Sequence, residues 1–301
     1  MEHTFTYQAS QGDEDKTIET FLKERGYSKK LISKLRRTPS GLTIAAQPVY
    51  TTHRLKEGEI LHVRIVEDSP SEQIAATPMD IPILYEDADL LIINKPADMP
   101  VHPSLGNYTN TLANGLAYYF SQKGEDFTFR TINRLDRDTT GLLIVAKHLL
   151  SACILYRMAA ERQLHRTYLA AVTGRLEGRG TIHAPIARKP DSILSRCVDF
   201  EKGEAAVTHY QALEYKNGYT LAQVVLETGR THQIRVHMQY IGHPIPGDFL
   251  YNPDYAGIHR QALHSFGLEF SHPITGRPMT FLAPLPKDMV QLFYTSPVCS
   301  T

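Results

Sequence analysis

The chain has 301 residues, 42% hydrophobic and 21% charged, enough to bury a large core in one main domain with a smaller companion. Its 32 basic residues balance 32 acidic ones, which excludes a uniformly basic nucleic-acid binder and requires any phosphate partner to be met by a local cluster. No apolar run is long enough to span a bilayer and "MEHTFTYQAS" lacks the basic end and apolar middle of a signal peptide, so the expected compartment is the cytoplasm. Cys153, Cys197 and Cys299 lie far apart with no C-x-x-C pair, and indicate neither a disulfide framework nor a zinc site.

In chain order, "TIETFLKERGY" places Ile18, Phe21 and Leu22 at helical spacing. "SKKLISKLRR" then carries five basic residues and no acid. With Ser28 as N-cap it reads as a helix with Lys30, Lys34 and Arg37 in one basic stripe and Leu31 and Leu35 on a neighbouring apolar face. Short strand-like segments follow, with Leu61, Val63 and Ile65 alternating against polar positions. Two helices and a small hairpin sheet, residues 1–67, resemble the RNA-binding alpha-L domain, although the hairpin turn reads Ala46-Gln47-Pro48 where that family usually has Asn-Gly. "DSPSEQIAATPMD" reads as a linker over residues 68–80.

Residues 81–301 are expected to form the main domain. Leu90 to Ile93 read as an apolar strand stopped by Asn94-Lys95-Pro96. "INRLDRDTTGLLIVAK" puts two acids and two arginines ahead of Leu142 to Ala146, a buried strand or the start of a helix. A helix follows with Leu149, Cys153, Tyr156 and Ala160 on one face; then a strand carrying Tyr168; then another strand, a tight turn at Gly229 and a helix.

Four blocks occur in an order that resembles the RluA-type pseudouridine synthases: "INKPADMPVHPS", "NRLDRDTTGLLIVAK", "RTYLAAVTG" and "LETGRTHQIRVHMQYIGHPIPGD". The resemblance covers residues 81 to 286. It implies an α+β fold, with a largely antiparallel mixed sheet flanked by helices, carrying a small N-terminal α/β RNA-binding domain. Asn133, Thr140 and Asp98 depart from the usual histidine, serine and glycine, and none of these is the catalytic acid.

The reaction the family performs detaches uracil from its ribose, turns it over and rejoins it through carbon 5. That needs a carboxylate near the sugar, a surface for the base and no water. The resemblance implies Asp136 as nucleophile or base, Arg230 as its paired cation, Tyr168 as the residue stacked on uracil and Arg134 as the side chain replacing the flipped nucleotide. RNA contact is expected from Ile234 at the base edge and from Lys30, Lys34 and Arg37. No metal or cofactor, nucleotide cofactors included, is implied. The partner is RNA, ribosomal or transfer, with no membrane, and the chain is expected to be a monomer.

Plainer readings compete. Asp136 could pair locally with Arg134 or Arg137, and Arg230 could be a structural ion-pair residue. Tyr168 and Ile234 could be core residues. Asp138 is expected to bond turn amides, and Lys95 to be a strand-end charge. His232 and His237, five apart, do not share a face and are expected to be surface or supporting residues rather than ligands. No hydrolase elbow, P-loop or dinucleotide fingerprint is present, and a glycosidase would need a second carboxylate. The alternative to an enzyme is a catalytically weak RNA-binding or ribosome-assembly factor on the same fold.

Overall fold

The structure, a computed structural model, describes residues 2–67 and 74–294. The expected linker therefore lies partly outside the described residues. The N-terminal unit runs β1 (Glu2–Gln8), α1 (Ile18–Glu24), α2 (Lys29–Arg37), β2 (Leu42–Ile44), β3 (Gln47–Pro48) and β4 (Ile60–Val66), with sheet order β1-β4-β2-β3. Strand β1 extends the expected hairpin sheet: all seven of its residues pair antiparallel with β4. Ser28 caps α2, its hydroxyl accepting from the Leu31 amide at 3.2 Å, and Leu31, Ile32 and Leu35 are buried. Leu61, Val63 and Ile65 fill the inner face of β4.

The β2–β3 turn is built on Ala45 and Ala46, at φ 48° and 62°. Two consecutive left-handed residues are what a tight two-residue hairpin requires, and alanine adopts them under strain where Asn-Gly would not. Changing Ala45-Ala46 to Asn-Gly should raise the stability of this unit by about 0.5–1 kcal/mol, read as a higher urea midpoint. An unchanged or lower midpoint would show that the turn carries no such strain.

The main unit comprises β5 (Ile83–Glu86), β6 (Leu90–Lys95), α3 (Leu112–Gln122), β7 (Thr140–Ala146), α4 (Leu149–Ala160), β8 (His165–Thr173), β9 (Arg179–His183), β10 (Ile186–Arg188), β11 (Arg196–Val198), β12 (Val207–Lys216), β13 (Tyr219–Leu226), α5 (Gln233–Tyr240), β14 (Leu263–Ser271), β15 (Pro278–Leu282) and α6 (Lys287–Tyr294). Among the described residues, nine strands form one sheet in the order β5-β6-β7-β14-β8-β13-β12-β9, with β15 added on β14. All neighbours are antiparallel except β7 and β14. The α+β architecture and the largely antiparallel sheet are as the motifs implied.

The continuous apolar runs of β6 and β7 follow from burial on both faces. Leu90, Ile92, Leu142 and Ile144 face one core together with α4 and the N-terminal unit. Leu91, Ile93, Leu143 and Val145 face a second core containing residues of α3, α5 and α6. The segment Leu142–Ala146 is thus a strand. Helix α4 lies between sheet and N-terminal unit and is buried through Ile154, Leu155 and Met158. Of the four residues that share a face by spacing, Leu149 and Cys153 are half-buried beside the N-terminal unit, whereas Tyr156 and Ala160 are exposed. The helix is apolar around most of its circumference, so periodicity could not choose the buried side.

The two units are joined directly. Arg130 pairs with the buried Glu67 at 2.5 Å, and the Leu149 amide donates to the other oxygen of Glu67 at 2.7 Å. Gly141, at φ 106°, fixes the joint between β7 and β14: a Cβ there would sit 2.2 Å from the Ser265 carbonyl oxygen, so no other residue fits.

Candidate active site

A cleft at this joint is lined by Arg134, Asp136, Tyr168, Arg230, Ile234 and Arg235, among others. Asp136 sits on the turn preceding β7 with its side chain 29% exposed. The turn is held at three successive carbonyls. The Asp136 carbonyl accepts from the Thr139 amide at 3.1 Å, that of Arg137 from Lys95 Nζ at 2.8 Å, and that of Asp138 from Arg260 Nη1 at 3.2 Å. Asn133 clamps the incoming chain to β7, donating to the Leu142 carbonyl at 3.1 Å and accepting from the Ile144 amide at 2.9 Å. Thr140 bonds His264 at 2.8 Å. Both departures from the family pattern are therefore absorbed as framework contacts. Asp98 occupies a left-handed backbone at φ 54°, which explains why a glycine is common there.

Asp136 pairs with neither Arg134 nor Arg137. Arg137 donates to Asp138 at 2.9 Å, which also replaces the amide bonds expected of Asp138. Arg134 is exposed and has no hydrogen-bond or ion-pair partner among the described residues. The cation on Asp136 is Arg235, whose Nη1 reaches Oδ2 at 2.7 Å. Arg230, expected in that role, turns away: its Nε donates to the Ala205 carbonyl at 3.1 Å and its Nη1 pairs with Glu204. The reason is local. His232, the N-cap of α5, adopts φ 59°, and beyond it Arg235 lies in the first helical turn, facing the Asp136 loop, while Arg230 remains at the rim.

Arg235 is 2% exposed and Asp248 fully buried. Asp248 takes Arg235 in a two-pronged grip, Nε at 2.6 Å and Nη2 at 2.7 Å, leaving the third nitrogen for Asp136. Burial alone would lower the arginine pKa, but the two carboxylates more than offset this and hold it above its ordinary value. The site thus has a permanently charged guanidinium fixed by one buried carboxylate and presented to a second, accessible one.

His232 Nε2 lies 3.9 Å from Asp136, and its Nδ1 meets the Tyr251 hydroxyl at 3.0 Å. Burial lowers its pKa, which leaves it neutral near pH 7. His237 is buried against Thr208 and the Ala184 carbonyl and serves the framework. Tyr168 is buried beside the cleft, and burial pushes its hydroxyl above the ordinary phenol range, so it is present as the neutral phenol. Ile234 is buried in the second core while lining the same cleft. The basic stripe of α2 lies elsewhere, in a groove against α4. Among the described residues, Asp87, Asp89 and His272 form a group with metal-ligand chemistry; it belongs to the β5–β6 turn, where Asp87 already binds His272 at 2.9 Å.

Lys95, expected as a strand-end charge, is fully buried. Its Nζ donates to the carbonyls of Pro96, Met99 and Arg137 at 2.8–2.9 Å. Burial draws its pKa down to about 7, with Asp138 and Asp136 opposing. Lys95→Met, which strands the Pro96 and Met99 carbonyls and leaves that of Arg137 with the Met99 amide alone, should cost about 2–4 kcal/mol at neutral pH. Between about pH 7 and pH 10 an unfolded lysine still binds its proton while the folded one has lost it, so wild-type stability rises through that window and the deficit of the variant widens. Urea unfolding of both proteins across this range checks the sign; a constant deficit would show that the buried ammonium stays charged.

A carboxylate fixed on a rigid turn, a buried cation behind it and a phenol beside it define a site for carboxylate-driven chemistry on a flat ligand. Residues 89–240 match the family described as RNA pseudouridylate synthase. The chain belongs to these RNA pseudouridine synthases, in their RluA-type branch, and is an isomerase. It is 42% identical over 92% of its length to "uncharacterized RNA pseudouridine synthase YjbO" of Bacillus subtilis (strain 168), spanning 98% of that protein. It is 38% identical over 81% of its length to ribosomal large subunit pseudouridine synthase D of Escherichia coli (strain K12), spanning 86% of it. The solved structure of human RNA pseudouridylate synthase domain containing 1 superposes with a TM-score of 0.56 at 30% identity, over 68% of this chain and 83% of that one.

Proposed function

We propose that the protein isomerises uridine in ribosomal RNA, with Asp136 as its catalytic carboxylate. The observation that carries this reading is the accessible Asp136 held at 2.7 Å by the buried Arg235. In the reaction the bond from uracil N1 to ribose C1′ breaks, the base turns over, and C5 joins C1′. The C5 proton is lost and N1 gains one, so no oxidant or cofactor is needed. Asp136 acts as nucleophile on C1′ or as the base that draws a sugar proton. Tyr168 provides a flat surface for the uracil and, as a neutral phenol, is suited to donating a proton.

Flipping the uridine costs a few kcal/mol. Arg134, exposed and without an ion-pair or hydrogen-bond partner among the described residues, fills the vacated stack. Ile234 meets the base edge, and Arg230 lies at the rim within reach of the RNA backbone. Residues 1–67 act as an RNA-binding domain through Lys30, Lys34 and Arg37, and residues 81–301 as the catalytic domain. Ribosomal RNA is favoured over transfer RNA because relatives at about 40% identity are named ribosomal large subunit pseudouridine synthases. The protein works as a monomer in the cytoplasm; among the described residues no helix is long and apolar enough to cross a membrane.

Mapping pseudouridine in total RNA of a deletion strain against its parent tests the assignment. Loss of one or a few ribosomal sites supports it, loss confined to transfer RNA moves the target, and no loss favours the assembly-factor alternative. Reversing the stripe with Lys30→Glu, Lys34→Glu and Arg37→Glu should weaken RNA binding and flatten its dependence on salt. An unchanged slope in titrations over a range of KCl concentrations would show that α2 presents only a solvated face.

A further inference from the structure

The groove between α2 and α4 has a volume of about 1040 Å³, and among the described residues no acidic side chain lines it. Lys30 and Arg37 on its α2 wall have no ion-pair or hydrogen-bond partner among the described residues, while Arg64 is engaged with Glu2. The opposite wall is α4, through Leu149 and Cys153. Continuing along that face by one turn brings Tyr156, which is 49% exposed. Its hydroxyl donates to the Thr131 carbonyl at 2.7 Å. Thr131 opens the segment that carries Arg134 and Asp136, and the guanidinium groups of Arg130 and Arg134 lie close enough to act on the Tyr156 phenol.

An exposed aromatic ring whose far end is tied to the backbone is a preorganised stacking surface, because its orientation is fixed before anything binds. This one stands between a basic groove and the catalytic turn, with arginine beside it. Alternating cations and aromatic faces are what single-stranded RNA requires: charge for its phosphates, rings for its bases. We propose that Tyr156 is a base-stacking platform for a nucleotide adjoining the target uridine, and that the RNA strand runs from the α2–α4 groove across Tyr156 to Arg134 and the Asp136 cleft. The inference rests on the assignment of that cleft to uridine.

The test uses the full chain, a fluorescein-labelled oligouridylate for affinity, and a 5-iodouridine version of the same oligomer for photo-crosslinking. Tyr156→Ala should weaken binding by about 5- to 100-fold with an unchanged salt slope, since no phosphate contact is lost. Tyr156→Phe, which keeps the ring but frees it from Thr131, should lose only about two- to fivefold through the lost preorganisation, less than the alanine variant, and the crosslink should map to the peptide containing Tyr156. An alanine variant that binds like wild type overturns the proposal. So does a phenylalanine variant as defective as the alanine one, because the hydroxyl tether would then be the function. If the alanine variant melts early, the phenylalanine variant and the crosslink decide. Tritium release from C5-labelled RNA separates the two readings. An active wild type with unchanged alanine affinity sinks the platform alone, whereas an inactive wild type that crosslinks at Tyr156 sinks the uridine assignment alone.

Discussion

Arg235→Met should abolish pseudouridine formation and lower stability by about 3–5 kcal/mol, the cost of leaving a buried carboxylate without its cation. Asp248 would keep only the amides of Leu250 and Tyr251, at 3.0 and 3.3 Å. Asp136 would keep His232 at 3.9 Å, which burial holds neutral. Arg230→Met removes a rim residue bound to Glu204 and Ala205, and should leave stability within about 0.5 kcal/mol and reduce turnover only several-fold through weaker RNA contact. Arg235→Lys keeps one charge but cannot serve Asp248 and Asp136 together, so it should retain the fold better than the methionine variant and still lose most activity. The combination Arg235→Met with Asp248→Leu should recover much of the stability and none of the turnover. Urea unfolding and single-turnover rates of the four proteins check this. Equal activity losses at positions 230 and 235 would show that the ion pair is not what the reaction depends on.

The sequence held the blocks of the site but not the direction of its side chains. In "GRTHQIRVHM" both arginines were available, and the resemblance to the family, through its T-G-R element, pointed to the first. The second is the buried one. Its signal was present, an arginine between Ile234 and Val236 in a helix whose neighbours are apolar, since such a charge survives only when paired. What no local pattern contains is the left-handed His232, which sets how α5 leaves the turn.

Lys95 was hidden for a similar reason. A lysine before proline at a strand end reads as solvent-facing, and only the folding-back of Pro96–Met99 and the approach of Arg137, 42 residues later, enclose it. Elements with a strong period, cap or stop were legible: β4 by alternation, α2 by Ser28 and its apolar face, β6 by its apolar run ended at Pro96; β7, too short and too uniformly apolar to show a period, stayed open between strand and helix start. Strand β1 was missed although Phe5 and Tyr7 alternate, because its partner β4 lies some sixty residues away. Asp98 was marked as a glycine position by the family pattern, and its positive φ supplies the physical cause.

Asp136→Asn makes the smallest change with the largest expected effect. The amide is nearly isosteric and keeps one oxygen for the Arg235 bond, and the turn carbonyls bound by Thr139, Lys95 and Arg260 are untouched. The fold and the RNA surface should survive, with affinity within a few-fold of wild type, because phosphate and stacking contacts carry binding. What disappears is a charged oxygen able to attack C1′ or take a proton, and with it the reaction. Asp136→Glu retains the charge but pushes it about one methylene too far, and a misplacement of about 1 Å costs roughly 100-fold. Residual glutamate activity above the asparagine level would locate the requirement in the carboxylate itself.

The most direct measurement is single-turnover tritium release from C5-labelled ribosomal RNA, with wild type and Asp136→Asn each in excess over RNA that both are shown to bind. Release is expected from the wild type and none above background from the variant at equal occupancy. Comparable release from both would contradict this, because the isomerisation would then proceed without the Asp136 carboxylate.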